Sequence, residues 1–240
     1  MDLQPSRLGT KEHWDDVYRK EVQNFEDFGD EGEVWFGEDV AEKMVEWCLE
    51  HVPPPSKPFC LDVGTGNGSL LLELAENGYE QTRLMGVDYS EDSIKLARYI
   101  ASLRHRFSCT FSCADFLGDT LPLTLPSMPP SLPPPESAPS SPEGQWDLLL
   151  DKGTYDAMAL ADRLPDGSIL TDKYPTRVNT LLKEGGFFLI TSCNFTEEEL
   201  KEAFSRPSSG LTYHSRVSHP TFSFGGKMGS TVSTVAFCKC

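Results

Sequence analysis

Short apolar runs alternate with amphipathic segments along most of this chain, and this pattern predicts an α/β fold. The apolar runs are strand-sized, and the segments between them repeat apolar side chains at helical spacing. Strands separated by helices pair in parallel, because each crossover returns the chain to the same end of the sheet. The five predicted parallel strands cover Phe59–Asp62, Arg83–Asp88, Phe107–Ala114, Trp146–Asp151 and Gly186–Cys193.

The two ends of the chain carry different patterns. Apolar residues at helical intervals predict helices over Lys11–Asn24 and Val40–Val52, the second ended by a run of prolines. Near the C-terminus, Thr221–Phe224 and Thr231–Cys238 alternate apolar and polar residues on either side of the Gly-rich segment Gly225–Gly229. This pattern predicts an antiparallel hairpin that closes the sheet.

A proline-rich segment, Leu121–Gly144, interrupts the alternation. It holds nine of the eighteen prolines of the chain, and such a segment cannot form a packed helix or a central strand. We expect a disordered or polyproline insertion there. The predicted organisation is an N-terminal helical and acidic extension over 1–37, which contributes to the functional site, and one domain over 38–240 that carries the insertion at 121–144.

The formal charge of −16 narrows the range of partners. Such a chain repels phosphate backbones, which argues against nucleic acid and favours a basic protein partner. Seven acids and no base fall within Glu26–Asp39, our candidate docking surface, although a solvated surface is the simpler interpretation of such a run. We expect a monomer.

The expected cellular compartment and metal content are inferred from sequence features that are absent. No stretch approaches the ~20 apolar residues of a membrane span, and the N-terminus has no signal-peptide core, so no membrane association is expected. The seven cysteines have no framework spacing, which indicates a reducing compartment: the cytosol, with the nucleus as the alternative. Neither the cysteines nor the five histidines have metal-site spacing, so no metal is expected.

The first strand ends in an acid followed by glycines on alternate residues. Glycines let the backbone turn sharply and approach a ligand closely, which any Cβ would hinder. A dinucleotide fingerprint would place its third glycine where Ser69 stands, so the spacing disfavours a dehydrogenase and resembles motif I of the class I methyltransferases. The expected cofactor is S-adenosylmethionine, contacted at this loop by Asp62, Gly64, Thr65, Gly66, Asn67 and Gly68.

Acids also close the second and third strands. Asp88 lies 20 residues past Gly68, a distance at which an acid in such folds accepts hydrogen bonds from both ribose hydroxyls. The alternative for Asp88 is an acid that stabilises the N-terminus of the next helix. Asp115 stands where class I methyltransferases commonly bind the adenine amino group, and Phe116 is placed to cover the ring.

The end of the fourth strand is the candidate reaction centre, because ligands of open α/β sheets bind at the carboxyl ends of the strands. Asp151 and Tyr155 are the predicted catalytic residues, Asp151 as an acceptor for the incoming amine; its alternative role is to cap the following turn. Trp35, which is also a predicted cofactor contact, is expected beside Phe36, Tyr155 and Phe195 around the pocket. Ordinary core packing is the alternative for these aromatics.

The motifs together identify a family. LGTKEHWDDVY, GEVWFGED, LDVGTGNG, VDYS, DKGTYDAM, GGFFLITSCNFTEEEL and FSFGG resemble the lysine methyltransferases that modify translation elongation factor 1-alpha, of the methyltransferase-like-10 type. The resemblance implies a Rossmann-like class I methyltransferase fold with a seven-stranded, mostly parallel sheet and a C-terminal antiparallel hairpin. It also implies transfer of methyl from S-adenosylmethionine to a lysine of elongation factor 1-alpha.

Two other functions stay open on the residues alone. The chain is alternatively a class I methyltransferase that acts on another protein lysine or on a small molecule. The N/D-P-P-Y signature of amide and base N-methyltransferases is absent after the fourth strand, where DKGTYD stands. A non-catalytic subunit that binds S-adenosylmethionine is the remaining alternative, and it is disfavoured by intact acids at all three strand ends.

Overall fold

A computed structural model describes residues 3–104, 108–118, 120–121, 144–224 and 227–240. Most of the predicted proline-rich insertion, residues 122–143, lies outside the described residues, as do Phe107 and the start of the predicted Gly-rich turn. In the part of the chain that the structure describes, no helix is both long enough and apolar enough to cross a membrane.

Side-chain caps fix the starts of several helices. The Thr10 hydroxyl accepts the His13 amide, Ser90 accepts the Ser93 amide, and Thr196 forms a capping box with Glu199. The helices of the described residues are α1 (Lys11–Phe28), α2 (Glu38–His51), α3 (Ser69–Glu76), α4 (Glu91–Leu103), α5 (Thr154–Ala159), α6 (Tyr174–Leu181) and α7 (Glu197–Phe204).

The main sheet has seven strands, and its five predicted parallel strands are present. With the two strands of a separate small sheet, β7 and β8, the described residues contain β1 (Cys60–Val63), β2 (Leu84–Asp88), β3 (Thr110–Cys113), β4 (Trp146–Lys152), β5 (Leu182–Ser192), β6 (Leu211–Val217), β7 (Thr221–Phe224), β8 (Lys227–Ser230) and β9 (Ser233–Lys239). The order is β3-β2-β1-β4-β5-β9-β6, with β9 antiparallel to both of its neighbours. The predicted fold class is confirmed.

The pairing of the C-terminal strands differs from the prediction. The last strand is where we expected it, but its antiparallel partners are β5 and β6, and β7 pairs with β8 in a separate two-stranded sheet. Strand β6 was not predicted, because His and Arg weaken the alternation of apolar and polar residues in its segment, LTYHSRV. The strand also has a bulge between Tyr213 and Ser215. An edge strand needs only one buried face, so its apolar signal is weak.

Each face of the sheet buries its own apolar cluster. Successive strand residues point to opposite faces, so Cys60 packs with α1 to α4 on one side and Leu61 packs with α5 to α7 on the other. The central strands are nearly continuous apolar runs because both of their faces are covered. This arrangement leaves the carboxyl ends of the parallel strands as the rigid edge on which a site can form.

Candidate active site

One cavity of about 300 Å³ opens at the carboxyl ends of β1, β2 and β4. Its wall comes from six parts of the chain: the N-terminal segment, the glycine loop after β1, the end of β2, the residues after β3, the loop after β4 and the loop after β5. This is the position at which open α/β sheets bind ligands, because the strand order reverses at β1 and the crossovers diverge there.

The glycine loop approaches the cavity with backbone that only glycine adopts comfortably. Gly64 and Gly66 have φ angles of 65° and 57°. A Cβ on Gly66 would lie 2.7 Å from the Tyr18 hydroxyl oxygen, and a Cβ on Gly64 would overlap the Thr154 hydroxyl. The loop therefore leaves a groove of bare backbone beside the cavity, which fits a nucleoside cofactor such as S-adenosylmethionine.

Eight of the ten predicted cofactor residues line this cavity, and two do not. The Asp62 carboxylate is buried beneath the loop, where it accepts the Thr65 hydroxyl at 2.7 Å. Gly68 is the N-cap of α3, and a Cβ there would lie 2.9 Å from the Phe111 ring. Their geometry assigns both residues to the support of the loop rather than to its ligand face. The lining residues are Trp35, Gly64, Thr65, Gly66, Asn67, Asp88, Asp115 and Phe116.

Asp88 places a buried carboxylate on the cavity wall. One carboxylate oxygen accepts the Gly66 amide at 3.1 Å and the other accepts the Ser90 amide at 2.9 Å. Burial raises the pKa of Asp88, and these two amides oppose that rise. A carboxylate accepts about four hydrogen bonds, so two acceptor positions remain for a pair of ligand hydroxyls. The two roles weighed for Asp88, ribose acceptor and helix-start residue, are thus compatible.

The far end of the cavity is apolar with one acid at its rim. Phe116 and Ala114 are buried there, and Asp115 is exposed beside them, accepting the Leu117 amide at 3.0 Å. An aromatic face beside an edge acceptor is the combination that binds a purine, through stacking and through its exocyclic amine. Asp115 and Phe116 both line the cavity, and their contact with adenine stays a prediction.

The N-terminal segment supplies cavity residues that the sequence analysis treated only as a helix face. Trp14 and Tyr18 of α1 line the cavity, and the Trp14 ring packs edge-on against Trp35 at 4.8 Å. Their helical spacing was visible in the sequence, but helical spacing alone cannot distinguish a cavity wall from a core contact. Glu33, Trp35 and Phe36 extend the same wall.

The structure does not bring the predicted catalytic pair to the cavity. Asp151 is fully buried and accepts the amides of Thr154 and Tyr155 at 2.8 and 3.0 Å, together with the Tyr174 hydroxyl. Burial raises the pKa of Asp151 to about 7, against the effect of these donors. The Asp151 geometry matches the alternative role, that of an acid capping the following turn.

Tyr155 and Phe195 pack together, away from the cofactor cavity. Their rings lie 5.1 Å apart, and both line a second, more polar cavity on the other side of α5. Of the four aromatics predicted around the pocket, Trp35 and Phe36 line it, and these two do not.

Three polar residues that were not named as catalytic line the cavity beside the ends of β4 and β5: Lys152, Asp156 and Asn194. The first two belong to the loop Asp151–Asp156, which the sequence analysis expected to face the reacting methyl group. Asp156 is buried and accepts the Ser192 hydroxyl at 2.5 Å and the Cys193 amide at 2.7 Å, which fixes the loop that carries Asn194. Lys152 is the one basic residue among the described lining residues. In the sequence, Asp156 and Lys152 belong to the motif DKGTYDAM, from which only Asp151 and Tyr155 were predicted as catalytic.

Two further predictions concern charge. No group of three or more His, Cys, Asp or Glu able to hold a metal occurs within the described residues. Part of the acidic run Glu26–Asp39 is neutralised inside the chain, because Glu31 pairs with Arg104 and Glu26 pairs with Lys95. The docking role of the run stays a prediction.

Comparison with known proteins gives the family. Residues 57–217 match the Methyltransf_31 family, described as a methyltransferase domain. The chain is 43% identical to "Protein-lysine N-methyltransferase efm4" of Schizosaccharomyces pombe, over 98% of this chain and 95% of that protein. It is 38% identical to "EEF1A lysine methyltransferase 2" of Mus musculus, over 99% of this chain and 86% of the relative.

Solved structures agree on the fold. The magnesium protoporphyrin IX methyltransferase ChlM of Synechocystis PCC 6803, solved with bound SAM, superposes with a TM-score of 0.54 at 16% identity, over 93% of this chain and 97% of that one. At this identity the likeness concerns the fold alone. The chain shares the fold of that methyltransferase, and its full-length similarity to the relatives above shows that it belongs to the protein-lysine N-methyltransferase family of efm4 and EEF1A lysine methyltransferase 2.

Proposed function

We propose that this chain transfers methyl groups from S-adenosylmethionine to a lysine of translation elongation factor 1-alpha. The observation that carries the proposal is a single cavity, bounded by the glycine loop, Asp88 and the aromatic N-terminal segment, in a chain 43% identical to a protein-lysine N-methyltransferase. The name of the mouse relative, EEF1A lysine methyltransferase 2, supports elongation factor 1-alpha as the substrate.

The cofactor, when bound, supplies a methyl group already activated by a sulfonium. The residues of this chain align it: the glycine loop accommodates the methionine end, Asp88 accepts the ribose hydroxyls, and Asp115 and Phe116 hold the adenine. Alignment of two reactants is a large contribution to such a displacement, because it removes the entropic cost of bringing them together. The bare backbone at Gly64 and Gly66 supports this arrangement.

The substrate amine has to arrive without its proton. A free lysine has a pKa near ~10.4, and a partly apolar site favours the neutral amine over the ammonium. Trp35 and Phe36 provide apolar surface at the cavity, and Asn194 offers an amide oxygen that can accept an N–H of the amine. We assign Asn194 to this contact, with Asp156 as the residue that positions its loop.

We assign a positioning role to Asp151 and Tyr155, which the sequence analysis predicted as catalytic. Asp151 holds the turn at Gly153 and the start of α5, which carries Asp156 to the cavity. We propose that Asp151 acts through this positioning and does not touch the amine. Tyr155 is a residue of α5, and its ring packs against Tyr174 and Phe204, so it acts by holding the same helix in place.

The N-terminal extension over 1–37 is proposed to complete the site rather than to form a separate domain. Trp14, Tyr18 and Trp35 support this assignment, because they line the same cavity as the glycine loop. We propose a cytosolic monomer whose acidic N-terminal run contacts its basic substrate protein.

The docking surface has its own test. Replacing the exposed acids by Asp27→Asn and Asp30→Asn should raise the KM for the protein substrate and leave the cofactor Kd unchanged, because only long-range attraction is lost. The effect should fade at high salt, where screening has already removed that attraction. A KM unchanged at low salt would exclude the run as a docking surface.

The reaction is tested by incubating the pure protein with labelled S-adenosylmethionine and a cell lysate. One labelled band at the size of elongation factor 1-alpha is the expected result. Many bands would indicate a broader protein-lysine methyltransferase, and a labelled small-molecule fraction without a band would indicate a small-molecule substrate. Cofactor binding with no labelled product would indicate a non-catalytic subunit.

A further inference from the structure

The turn that carries Trp35 and Phe36 is strained. The Gly37 amide donates to the Val34 carbonyl at 2.9 Å, which closes a tight turn, and Phe36 takes the left-handed φ of 69°. Glycine is the residue favoured at such a position, because a side chain with a positive φ meets its own backbone. A large aromatic residue there is stable only if its surroundings hold it.

Trp35 of this turn packs against Trp14 of α1, and two further contacts fix the turn to the dipeptide Lys152–Gly153 at the end of β4. The Lys152 ammonium donates to the Trp35 carbonyl oxygen at 3.0 Å. The Phe36 ring lies over Gly153 so closely that a Cβ on Gly153 would be 3.0 Å from the ring edge. The backbone of the turn and its aromatic side chain are therefore fixed to the rigid edge of the sheet.

The environment of Lys152 explains how an amine can serve as this anchor. Its side chain is largely enclosed. The two acids that interact with its charge, Asp62 and Asp151, are both buried at the ends of β1 and β4. Burial lowers the pKa of Lys152, and these two carboxylates oppose that change. Because Lys152 also lines the cavity, its contact with the turn lies at the edge of the site.

The geometry points to Lys152 as a positioning residue: it anchors the strained turn Val34–Gly37 to the end of β4, so that the Phe36 ring forms one wall of the channel for the substrate lysine. The inference rests on the proposed function, because the site needs a channel for a lysine side chain only if the substrate is a protein lysine. Lys152 acts through the turn and needs no contact with the reacting atoms.

Lys152→Met tests this role, since methionine keeps the length of the side chain and removes the charge and the donor. We expect kcat/KM for elongation factor 1-alpha to fall by about 100-fold, the loss typical of a misplaced wall of a reaction site. The cofactor Kd should change by less than about tenfold, because Trp35 is the one predicted cofactor residue in the turn Val34–Gly37 and the other nine lie outside it. Lys152→Arg should restore most of the activity because it retains a donor.

A double-mutant cycle separates this role from a general loss of stability. Phe36→Ala removes the wall directly, so Lys152→Met in that background should have little further effect on kcat/KM. Fully additive losses would overturn the inference. Lys239→Met is the matched control: Lys239 also donates to main-chain carbonyls, those of Asn179 and Leu182 at 2.9 Å, but far from the cavity. Its activity should stay within about twofold of the wild type.

Hydrogen exchange gives a readout that needs no substrate. In Lys152→Met, the Gly37 amide should exchange at least about tenfold faster, because the turn opens more often without its anchor. Unchanged exchange would overturn the anchoring role whatever the activities show. If the wild type does not methylate elongation factor 1-alpha, the proposed substrate is wrong, and the exchange measurement still decides whether Lys152 holds the turn.

Discussion

At the scale of single residues, the three strand-end acids differ in what their carboxylates face. Asp88 faces the cavity, Asp62 is covered by the glycine loop, and Asp115 stands at the exposed rim. The sequence shows that all three close strands of one parallel sheet. It does not show which of them the loops cover, because that depends on contacts between segments far apart in the chain.

Asp88 is the residue whose change should affect the cofactor most directly. Asp88→Asn removes the charge that strengthens hydrogen bonds to ligand hydroxyls, and such bonds contribute about 1.5 to 3 kcal/mol each. We expect the Kd for S-adenosylmethionine, measured by calorimetry, to rise about 10- to 100-fold. Asp92→Asn, a change of an acid in the first turn of α4, serves as the control and should bind normally. Unchanged affinity of Asp88→Asn would refute the ribose contact.

Asp62 should make stability depend on pH. Burial raises the pKa of Asp62 to about 6 in the folded chain, above its value of about 3.9 in the unfolded chain. The folded state therefore binds this proton more tightly, and the stabilisation is lost as pH rises through the folded pKa. Relative to Asp62→Asn, the wild type should lose about 1 kcal/mol between about pH 5 and pH 7.5, seen as a drop in relative Tm of about 2 to 4 °C. A Tm difference that is constant over this range would contradict the assignment.

At the scale of elements, Asp151 links β4, α5 and α6. Asp151→Ala leaves two amides at the start of α5 and the Tyr174 hydroxyl without their acceptor, and each such buried group costs about 1 to 3 kcal/mol. We expect a clear fall in Tm, accompanied by loss of activity. The exposed change Asp162→Ala should leave both unchanged. Lost turnover with an unchanged Tm would instead support Asp151 as a catalytic group.

The elements most clearly predicted from the sequence are those with strong local signals. Strand β2 is where the pattern placed it, because a strand that is buried on both faces appears in the sequence as a run of mostly apolar residues. Strand β6 was not predicted, because its place depends on β9 and on a hydrogen bond from Trp47 to Ser215 at 2.9 Å. Contacts between residues so far apart in the chain leave no pattern in the local sequence.

At the scale of the whole molecule, the site is assembled by folding the N-terminal segment over the sheet edge. Lys152 and Trp35 are 117 positions apart, and Asn67 donates to the Glu31 carbonyl oxygen across 36 positions. The cofactor half of the cavity follows from the glycine loop and strand-end acids, so it could be predicted from motifs. The substrate half depends on these long-range contacts and could not.

The central claim is that this assembled site methylates a lysine of elongation factor 1-alpha. The most direct measurement combines the pure chain, purified elongation factor 1-alpha and S-adenosylmethionine, and follows lysine methylation by mass spectrometry, with Asp88→Asn in parallel. The account predicts methylation at a defined lysine by the wild type and a marked loss in the variant. No methylation by a wild-type chain that binds the cofactor, or equal methylation by both proteins, would contradict it.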